Sequence, residues 1–258
     1  MKDDEENIFS EGENLTLPPD MYFDSEKLYS RTLKMMWSVV QYNEMRMTYS
    51  CALKEIKTKF DVLNTEFNVR NKRNPISSIS TRLKSTQSLF RKMADRNIIP
   101  TIENAERNIK DIAGIRVICS YIDDIYEIAE ALLRQDDVTL VERKDYIKNP
   151  KPNGYRSLHL IVSIPVYFAE RKKQVNVEVQ IRTIAMDFWA SLEHQIKYKQ
   201  VIPEQAEVVD RLRKCAEVIA GTDEEMLALR RKIEQAEDAP SEEDILLERL
   251  KKIDVRID

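Results

Sequence analysis

The chain has 258 residues, of which 42% are hydrophobic and 33% charged, and its formal net charge is −4 at pH 7. This apolar fraction can fill a core, which argues against global disorder, and the negative charge disfavours a general nucleic-acid-binding protein. With only four glycines, the chain lacks the glycine-rich loops of Walker and Rossmann proteins, so side chains must bind any phosphate.

The cysteines and the first residues indicate a cellular location. Cys51, Cys119 and Cys215 are far apart and form no CxxC pair, which is typical of a reducing compartment. Residues 1–24 are acidic and lack the apolar stretch of a signal peptide, and no apolar run approaches the roughly 18 residues of a membrane span. We therefore expect a cytoplasmic protein without membrane contacts, whose residues 1–24 form a disordered acidic tail.

The N-terminal third of the chain is predicted to be helical. In residues 25–67, apolar side chains recur every three or four positions, which predicts helical structure. Asn74 and Pro75 are typical of an N-cap and a first helical residue. They predict a second helix that ends near Asp95 or Arg96.

A first basic cluster falls within this second predicted helix. Lys84, Ser88 and Lys92 would follow one another at intervals of four and form a single polar, basic line. Such a line either holds a triphosphate through side-chain charges or is a solvated helix face. The residues alone leave both interpretations open.

The middle of the chain predicts an α/β core, because β-rich runs there alternate with helical spacing. The predicted strands are residues 114–122, 138–147, 157–168 and 174–183. Residues 123–135 have the spacing of a helix between the first two strands. From residue 184 onward the pattern is helical, with a break predicted at Gly221.

A second basic cluster joins two of the predicted strands. Its six members are Arg143, Lys144, Lys148, Lys151, Arg156 and His159. So many basic groups within seventeen residues repel one another unless an anion is bound. Within the cluster, Tyr155 follows Gly154 and either presents its ring to a purine or packs in a charged hairpin.

Two carboxylates stand beside or inside predicted strands. Asp111 precedes the first strand and Glu178 lies within the last one. Alternation places two sets of side chains on opposite faces of the last strand, namely Val175, Val177, Val179 and Ile181 against Asn176, Glu178, Gln180 and Arg182. Glu178 is either an ordinary outward residue or part of an active-site floor, where a carboxylate binds magnesium or abstracts a proton.

Four segments in the order of the chain carry a family resemblance: DIAGIRVICSYIDDIY, KDYIKNPKPNGYRSLH, VEVQIRT and MDFWASLEH. They resemble the synthetase domain of RelA/SpoT-type enzymes over about residues 50–220. With helices on both sides and no hydrolase domain, the chain is similar to the stand-alone small alarmone synthetases. The resemblance implies a nucleotidyltransferase-like α/β fold, with a mixed sheet of about five strands flanked by helices and long N- and C-terminal helices. We expect residues 25–200 to form the synthetase domain and residues 201–258 a helical extension.

The resemblance also implies a reaction of the stringent response. The 3′-hydroxyl of GTP or GDP attacks the β-phosphorus of ATP, AMP leaves, and the products are the alarmones pppGpp and ppGpp. Such enzymes use Mg²⁺ and form homotetramers, and no stable nucleic-acid partner is expected. Phosphoryl-group transfer depends mainly on positioning and charge neutralisation, which suits two basic clusters and two carboxylates.

On the ATP side, the resemblance assigns two arginines to the adenine and three polar residues to the triphosphate. The adenine residues would be Arg82 and Arg116, and the triphosphate residues would be Lys84, Ser88 and Lys92. Guanidinium planes stack well on aromatic rings, so the assignment of the arginines is chemically reasonable.

On the acceptor side, the resemblance implies a guanine-stacking tyrosine, polar residues around the nucleotide, and two magnesium ligands. The acceptor-binding residues would be Tyr155, Lys144, Lys151, Asn153, His159 and Gln180. The catalytic residues would be Asp111 and Glu178, both as magnesium ligands and Glu178 also as the base for the 3′-hydroxyl.

The chain departs from one branch of the family, in which alarmone bound in a central cleft activates the enzyme. The positions matching that cleft are Lys57, Asp61, Ser78 and Asp187. The two aspartates would repel a polyphosphate, so the chain is more similar to the branch that lacks this activation.

Two other functions compete with alarmone synthesis. A toxin that transfers pyrophosphate to the 3′ end of tRNA would need an added basic surface, whereas the C-terminal helical segments are mixed or acidic. A catalytically silent guanine-nucleotide-binding regulator would lack a metal ligand or base, whereas Asp111, Glu178 and Tyr155 are all present.

Overall fold

The computed structural model describes residues 25–71, 73–199 and 205–237, so the predicted tail at residues 1–24 lies outside the described residues. The chain divides into two units, Met1–Glu44 and Met45–Asp258. The helices and strands in chain order are α1 (Ser25–Asn71), β1 (Ile76–Leu83), α2 (Thr86–Asp95), α3 (Ile102–Asn108), β2 (Ala113–Cys119), α4 (Ile122–Leu133), β3 (Thr139–Asp145), β4 (Leu158–Tyr167), β5 (Lys172–Thr183), α5 (Ile184–Lys199) and α6 (Gln205–Glu237).

Five strands form one mixed sheet in the order β1-β2-β5-β4-β3. Only β2 and β5 pair in parallel, and every other neighbouring pair is antiparallel. The predicted alternation of β5 is confirmed, because Val175, Val177, Val179 and Ile181 are all buried. The expected mixed five-stranded sheet with flanking helices is therefore confirmed.

The predicted helix beginning at Asn74 and Pro75 is wrong. Residues 76–83 form strand β1, and the helix that follows begins only after Ser85, whose hydroxyl caps α2 by accepting from the Ser88 amide. Since β1 is an edge strand and buries mainly Ile76, no buried face imposes a two-residue period on its sequence. The spacing of Ile76, Ile79 and Leu83 therefore imitates a helix.

Two further features of the helices differ from the prediction. The short helix α3, capped by the Thr101 hydroxyl, was not predicted. Helix α6 continues through Gly221, where a break was expected. A glycine inside a helix costs only about 1 kcal/mol, and the packing of neighbouring Ala216, Ala220 and Asp223, all buried, outweighs that cost.

Helices α4 and α5 pack against the two central parallel strands, β2 and β5, and α6 packs against α4 and α5. From residue 45 onward, α1 buries one stripe of side chains, which includes Met45, Tyr49, Ile56 and Phe60. In the part of the chain that the structure describes, no helix is both long and apolar enough to cross a membrane.

Candidate active site

The register of the sheet places six of the thirteen predicted site residues in two adjacent rows on one face. In the first row, Ser80, Arg116, Gln180, His159 and Lys144 are successive cross-strand partners from β1 to β3. Partners in register point to the same side of a sheet. One residue from each of the five strands therefore lies along one line across the sheet.

The second row lies two residues further along each strand, on the same face. It contains Arg82, Gly114 and Glu178 as successive partners. A Cβ atom at Gly114 would lie only 4.0 Å from the Glu178 Oε2 atom. The missing side chain at Gly114 thus leaves space between the arginine of β1 and the carboxylate of β5.

A cavity of about 330 Å³ opens above these rows. Six of the predicted residues line it, namely Arg82, Lys84, Asp111, Arg116, Glu178 and Gln180. The cavity therefore brings both predicted catalytic carboxylates together with both arginines that were assigned to adenine.

Asp111 lies just before β2, where two lysines converge on it. Lys84 Nζ lies 2.8 Å and Lys92 Nζ 2.7 Å from its Oδ2 atom. Burial alone would raise the pKa of Asp111, but the hydrogen bonds from the lysines outweigh burial and hold that pKa below its ordinary value. The prediction that Lys84 lies on a helix is wrong, because it lies in the connection between β1 and α2.

Each carboxylate oxygen of Glu178 has one side-chain nitrogen as a neighbour. Gln180 Nε2 lies 2.9 Å from Oε2, and His159 Nδ1 lies 3.4 Å from Oε1. Burial opposes ionisation, but these two partners keep the pKa of Glu178 below its ordinary value, against an opposing effect of the Asp111 charge. The carboxylate is consequently ionised at neutral pH.

Tyr155 lies next to this carboxylate cluster. Its hydroxyl is 2.8 Å from His159 Nε2, and burial raises the pKa of that hydroxyl. Lys151 Nζ lies 4.7 Å from the centre of the Tyr155 ring. Tyr155 thus contacts two other predicted acceptor residues, Lys151 and His159.

Helix α6 holds the loop that carries Tyr155. Gly154 has φ +89°, and a Cβ atom there would lie 2.5 Å from Ala216 Cβ on α6, so only glycine fits at this position. Tyr155 itself packs against the buried cluster of Trp189, Ala190 and Ala216. Helix α6, which lies outside the four family-like segments, therefore helps to position the Tyr155 ring.

The remaining predicted residues lie around this centre. Lys144 pairs with Glu142 at 3.0 Å, Asn153 donates to Glu193 at 3.1 Å, and the Ser88 hydroxyl accepts from Ser85 at 2.9 Å. The expected repulsion in the second basic cluster is reduced within the protein, because Arg143 also pairs with Glu130.

Two residues of the site, Arg182 and Asp187, were not among the residues predicted to form it. Arg182 is buried beside Tyr155. The alternation of β5 had predicted that it lies on the same face of the strand as Glu178. Asp187 Oδ1 lies 3.2 Å from Arg116 Nη1 and 3.1 Å from Arg182 Nη1, which no local pattern indicates. Of the other positions matched to the alarmone cleft, Asp61 pairs with Lys57. The lack of alarmone activation stays a prediction.

Three comparisons relate this geometry to known proteins. The family model described as a region found in RelA/SpoT proteins matches residues 81–202. The chain is 43% identical over 192 residues to the GTP pyrophosphokinase YwaC of Bacillus subtilis, covering 74% of this chain and 91% of that protein.

The chain is also similar to solved structures of small alarmone synthetases. The small alarmone synthetase 2 from Bacillus subtilis is 44% identical, with a TM-score of 0.66 over 74% of this chain and 98% of that one. The small alarmone synthetase 1 from the same organism, bound to its product pppGpp, is 36% identical, with a TM-score of 0.68 over 75% of this chain and 98% of that one.

Proposed function

The chain belongs to the RelA/SpoT family, and we propose that it is a GTP/GDP pyrophosphokinase that transfers the β,γ-pyrophosphate of ATP to the 3′-hydroxyl of a guanine nucleotide. One observation carries this function beyond family membership. Asp111 and Glu178 line one cavity together with Arg82, Lys84 and Arg116. Two ionised carboxylates surrounded by fixed cations suit a transfer between two polyphosphates.

The chemistry follows from the charges of these side chains. The O3′–Pβ bond forms, the bond from Pβ to the oxygen bridging to the α-phosphorus breaks, and AMP leaves with that oxygen. The proton of the 3′-hydroxyl passes to Glu178. Because the pKa of Glu178 is low, the carboxylate is a weak base. It accepts the proton only as the O3′–Pβ bond forms and the hydroxyl becomes acidic.

The donor nucleotide is held by side-chain cations. Lys84 and Lys92 converge on one oxygen of Asp111, so their positive charges can neutralise a triphosphate at that place. Arg82 and Arg116 come from neighbouring strands of the same cavity. We assign the adenine to these two arginines and the phosphates to the lysines, with Ser88 at the start of α2.

The acceptor is assigned to the opposite end of the first row. Tyr155 would stack on the guanine, which requires the flexible Lys151 side chain to leave the face of the ring that it covers at 4.7 Å. His159, Gln180 and Lys144 follow along the same line of the sheet. Lys144 and Lys151, with Asn153, would contact the phosphates and base of the acceptor.

The site residues fit a magnesium ion. The Asp111 Oδ1 atom is buried and has no hydrogen-bond partner within the described part of the chain. Among the described residues there is no group of three or more metal-ligating side chains, but Mg²⁺ is commonly bound by one or two carboxylates plus substrate phosphates. Asp111 and Glu178 would hold the ion. When bound, it neutralises phosphate charge at the reacting centre.

A labelled-nucleotide assay tests the function. The full chain is incubated with Mg²⁺, γ-labelled ATP and either GDP or GTP, and the nucleotides are separated. We expect the label to move into a more highly charged guanine nucleotide, with release of AMP. Label that remains in ATP, or that appears in added tRNA, would contradict the proposal.

We propose a cytoplasmic homotetramer built from residues 25–200 as synthetase domain and a helical extension from residue 201. Helix α1 exposes Leu33, Met36, Trp37 and Val40, whose spacing of three and four forms one apolar stripe suited to association. Light scattering of the full chain should give four times the chain mass of 30.3 kDa, whereas a monomer would contradict the tetramer.

A further inference from the structure

Arg182 is a buried arginine whose three nitrogens all have partners in the site. It is 5% exposed. Its Nε donates to Ser157 Oγ at 3.3 Å and its Nη1 to Asp187 Oδ1 at 3.1 Å. Its Nη2 donates to the Tyr155 hydroxyl at 2.5 Å and to Gln180 Oε1 at 2.9 Å. Arg182 therefore contacts Gln180, the neighbour of Glu178, and Tyr155, the neighbour of His159.

A guanidinium group has only donors, and this fixes the orientation of the Gln180 amide. The end of Gln180 that faces Arg182 must be the carbonyl oxygen, because an NH₂ group there would oppose another donor. The NH₂ end then faces Glu178 Oε2, 2.9 Å away. By orienting the amide in this way, Arg182 makes the Gln180 NH₂ group the donor to Glu178.

The same property determines the direction of the hydrogen bond between Tyr155 and His159. The Tyr155 oxygen accepts from Arg182, while the neighbouring Ser157 hydroxyl donates to the Ile181 carbonyl. The single hydrogen of the Tyr155 hydroxyl can then be donated to His159 Nε2, which lies 2.8 Å away. A neutral imidazole that accepts at Nε2 carries its hydrogen on Nδ1, the atom that lies 3.4 Å from Glu178 Oε1.

We propose that Arg182 is a positioning residue that sets the Nδ1-protonated tautomer of neutral His159 and the amide orientation of Gln180, so that each oxygen of Glu178 faces a donor. This inference rests on the proposed role of Glu178 as the base. A carboxylate has about four lone-pair sites, so two donors fix its orientation and leave sites for the acceptor hydroxyl. Such fixed geometry is what positioning contributes to catalysis.

Nitrogen NMR of the two histidines in the chain reads out the tautomer directly. Spectra of ¹⁵N-histidine-labelled protein are recorded at an alkaline pH above which the signals no longer change, so that the rings are neutral, and His194→Gln assigns the signals. We expect His159 to carry its hydrogen on Nδ1 in the wild type and to shift toward Nε2 in Arg182→Met. A wild-type His159 protonated on Nε2 would overturn the proposal.

A second variant keeps the test valid if Arg182→Met does not fold. Tyr155→Phe retains the ring but removes the hydroxyl that links Arg182 to His159, so it should also move the hydrogen toward Nε2. Arg211→Met, at a side chain 77% exposed on α6, is the matched control and should leave the spectrum unchanged. A His159 spectrum that is the same in Tyr155→Phe as in the wild type would overturn the proposal.

Kinetics separate positioning from binding. Arg182→Met should lower kcat by about 10- to 100-fold, the scale found when a hydrogen-bond partner that orients a metal ligand is lost, with a smaller change in KM for ATP. An unchanged kcat would overturn the role in catalysis. If the wild type transferred no pyrophosphate, the proposed function would fail, while the tautomer spectra would still judge the positioning of His159.

Discussion

Replacing Glu178 with glutamine should lower the rate of pyrophosphate transfer by about 10²- to 10⁴-fold, the range that a general base contributes. Glutamine has nearly the same shape but cannot accept the proton of the 3′-hydroxyl. It would also present an NH₂ group to one of two donors, since His159 and Gln180 both point at position 178. Single-turnover assays with labelled ATP measure the rate.

Binding of ATP should survive in this variant, because Arg82, Lys84 and Lys92 are unchanged. Calorimetric titration with a non-hydrolysable ATP analogue checks this, and Glu170→Gln, at an exposed position before β5, is the control. If Glu178→Gln turned over at the wild-type rate, Glu178 would be removed from proton transfer. Loss of both transfer and ATP binding would point instead to a disrupted cavity.

Asp111→Asn should reduce the transfer rate by at least about 100-fold. Asp111 offers a buried oxygen without a hydrogen-bond partner in the described chain, which we assign to Mg²⁺. The ion contributes several kcal/mol to neutralising charge in the transition state, and about 2.7 kcal/mol corresponds to 100-fold. The variant should also need more Mg²⁺ for half-maximal rate, which a magnesium titration of the rate measures.

The matched control is Asp137→Asn, because Asp137 also pairs with a lysine, Lys59 at 2.7 Å, but lies outside the cavity. A rate and a magnesium dependence in Asp111→Asn that equal those of this control would contradict the metal assignment.

Asp111→Asn should also change the dependence of stability on pH. The folded-state pKa of Asp111 is lowered by Lys84 and Lys92, so its ionised form stabilises the fold above the ordinary aspartate pKa of about 3.9. That stabilisation is lost as the pH falls through the lower, folded-state value. Wild type and variant should therefore differ in Tm at neutral pH and converge in acid.

The sequence determined the central strands, because their faces are buried and buried faces impose a pattern. Strand β5 alternates as its residues predict, and that alternation already placed Glu178, Gln180 and Arg182 on one face. The helical character of α1 and α6 was likewise visible in their apolar spacing, although α6 continues through the break expected at Gly221. Two of the four family-like segments supplied Asp111, Arg116, Glu178 and Gln180, which line the cavity.

Tertiary structure decided the features that carry no local pattern. Strand β1 is held by pairing with β2 at the sheet edge, so its own sequence kept a helical spacing. Lys84 reaches Asp111 not along a helix with Lys92 but from a separate connection, since only the fold determines which cations meet a given carboxylate.

The contacts of Arg182 and Asp187 could not be predicted from the sequence for the same reason. The hydrogen bond from Arg182 to Tyr155 joins residues 27 positions apart, and the ion pair of Asp187 with Arg116 joins α5 to β2. Alternation along a strand gives the face on which a side chain lies. The partner that satisfies its donors is set by register and packing, which arise only when the strands and helices are assembled.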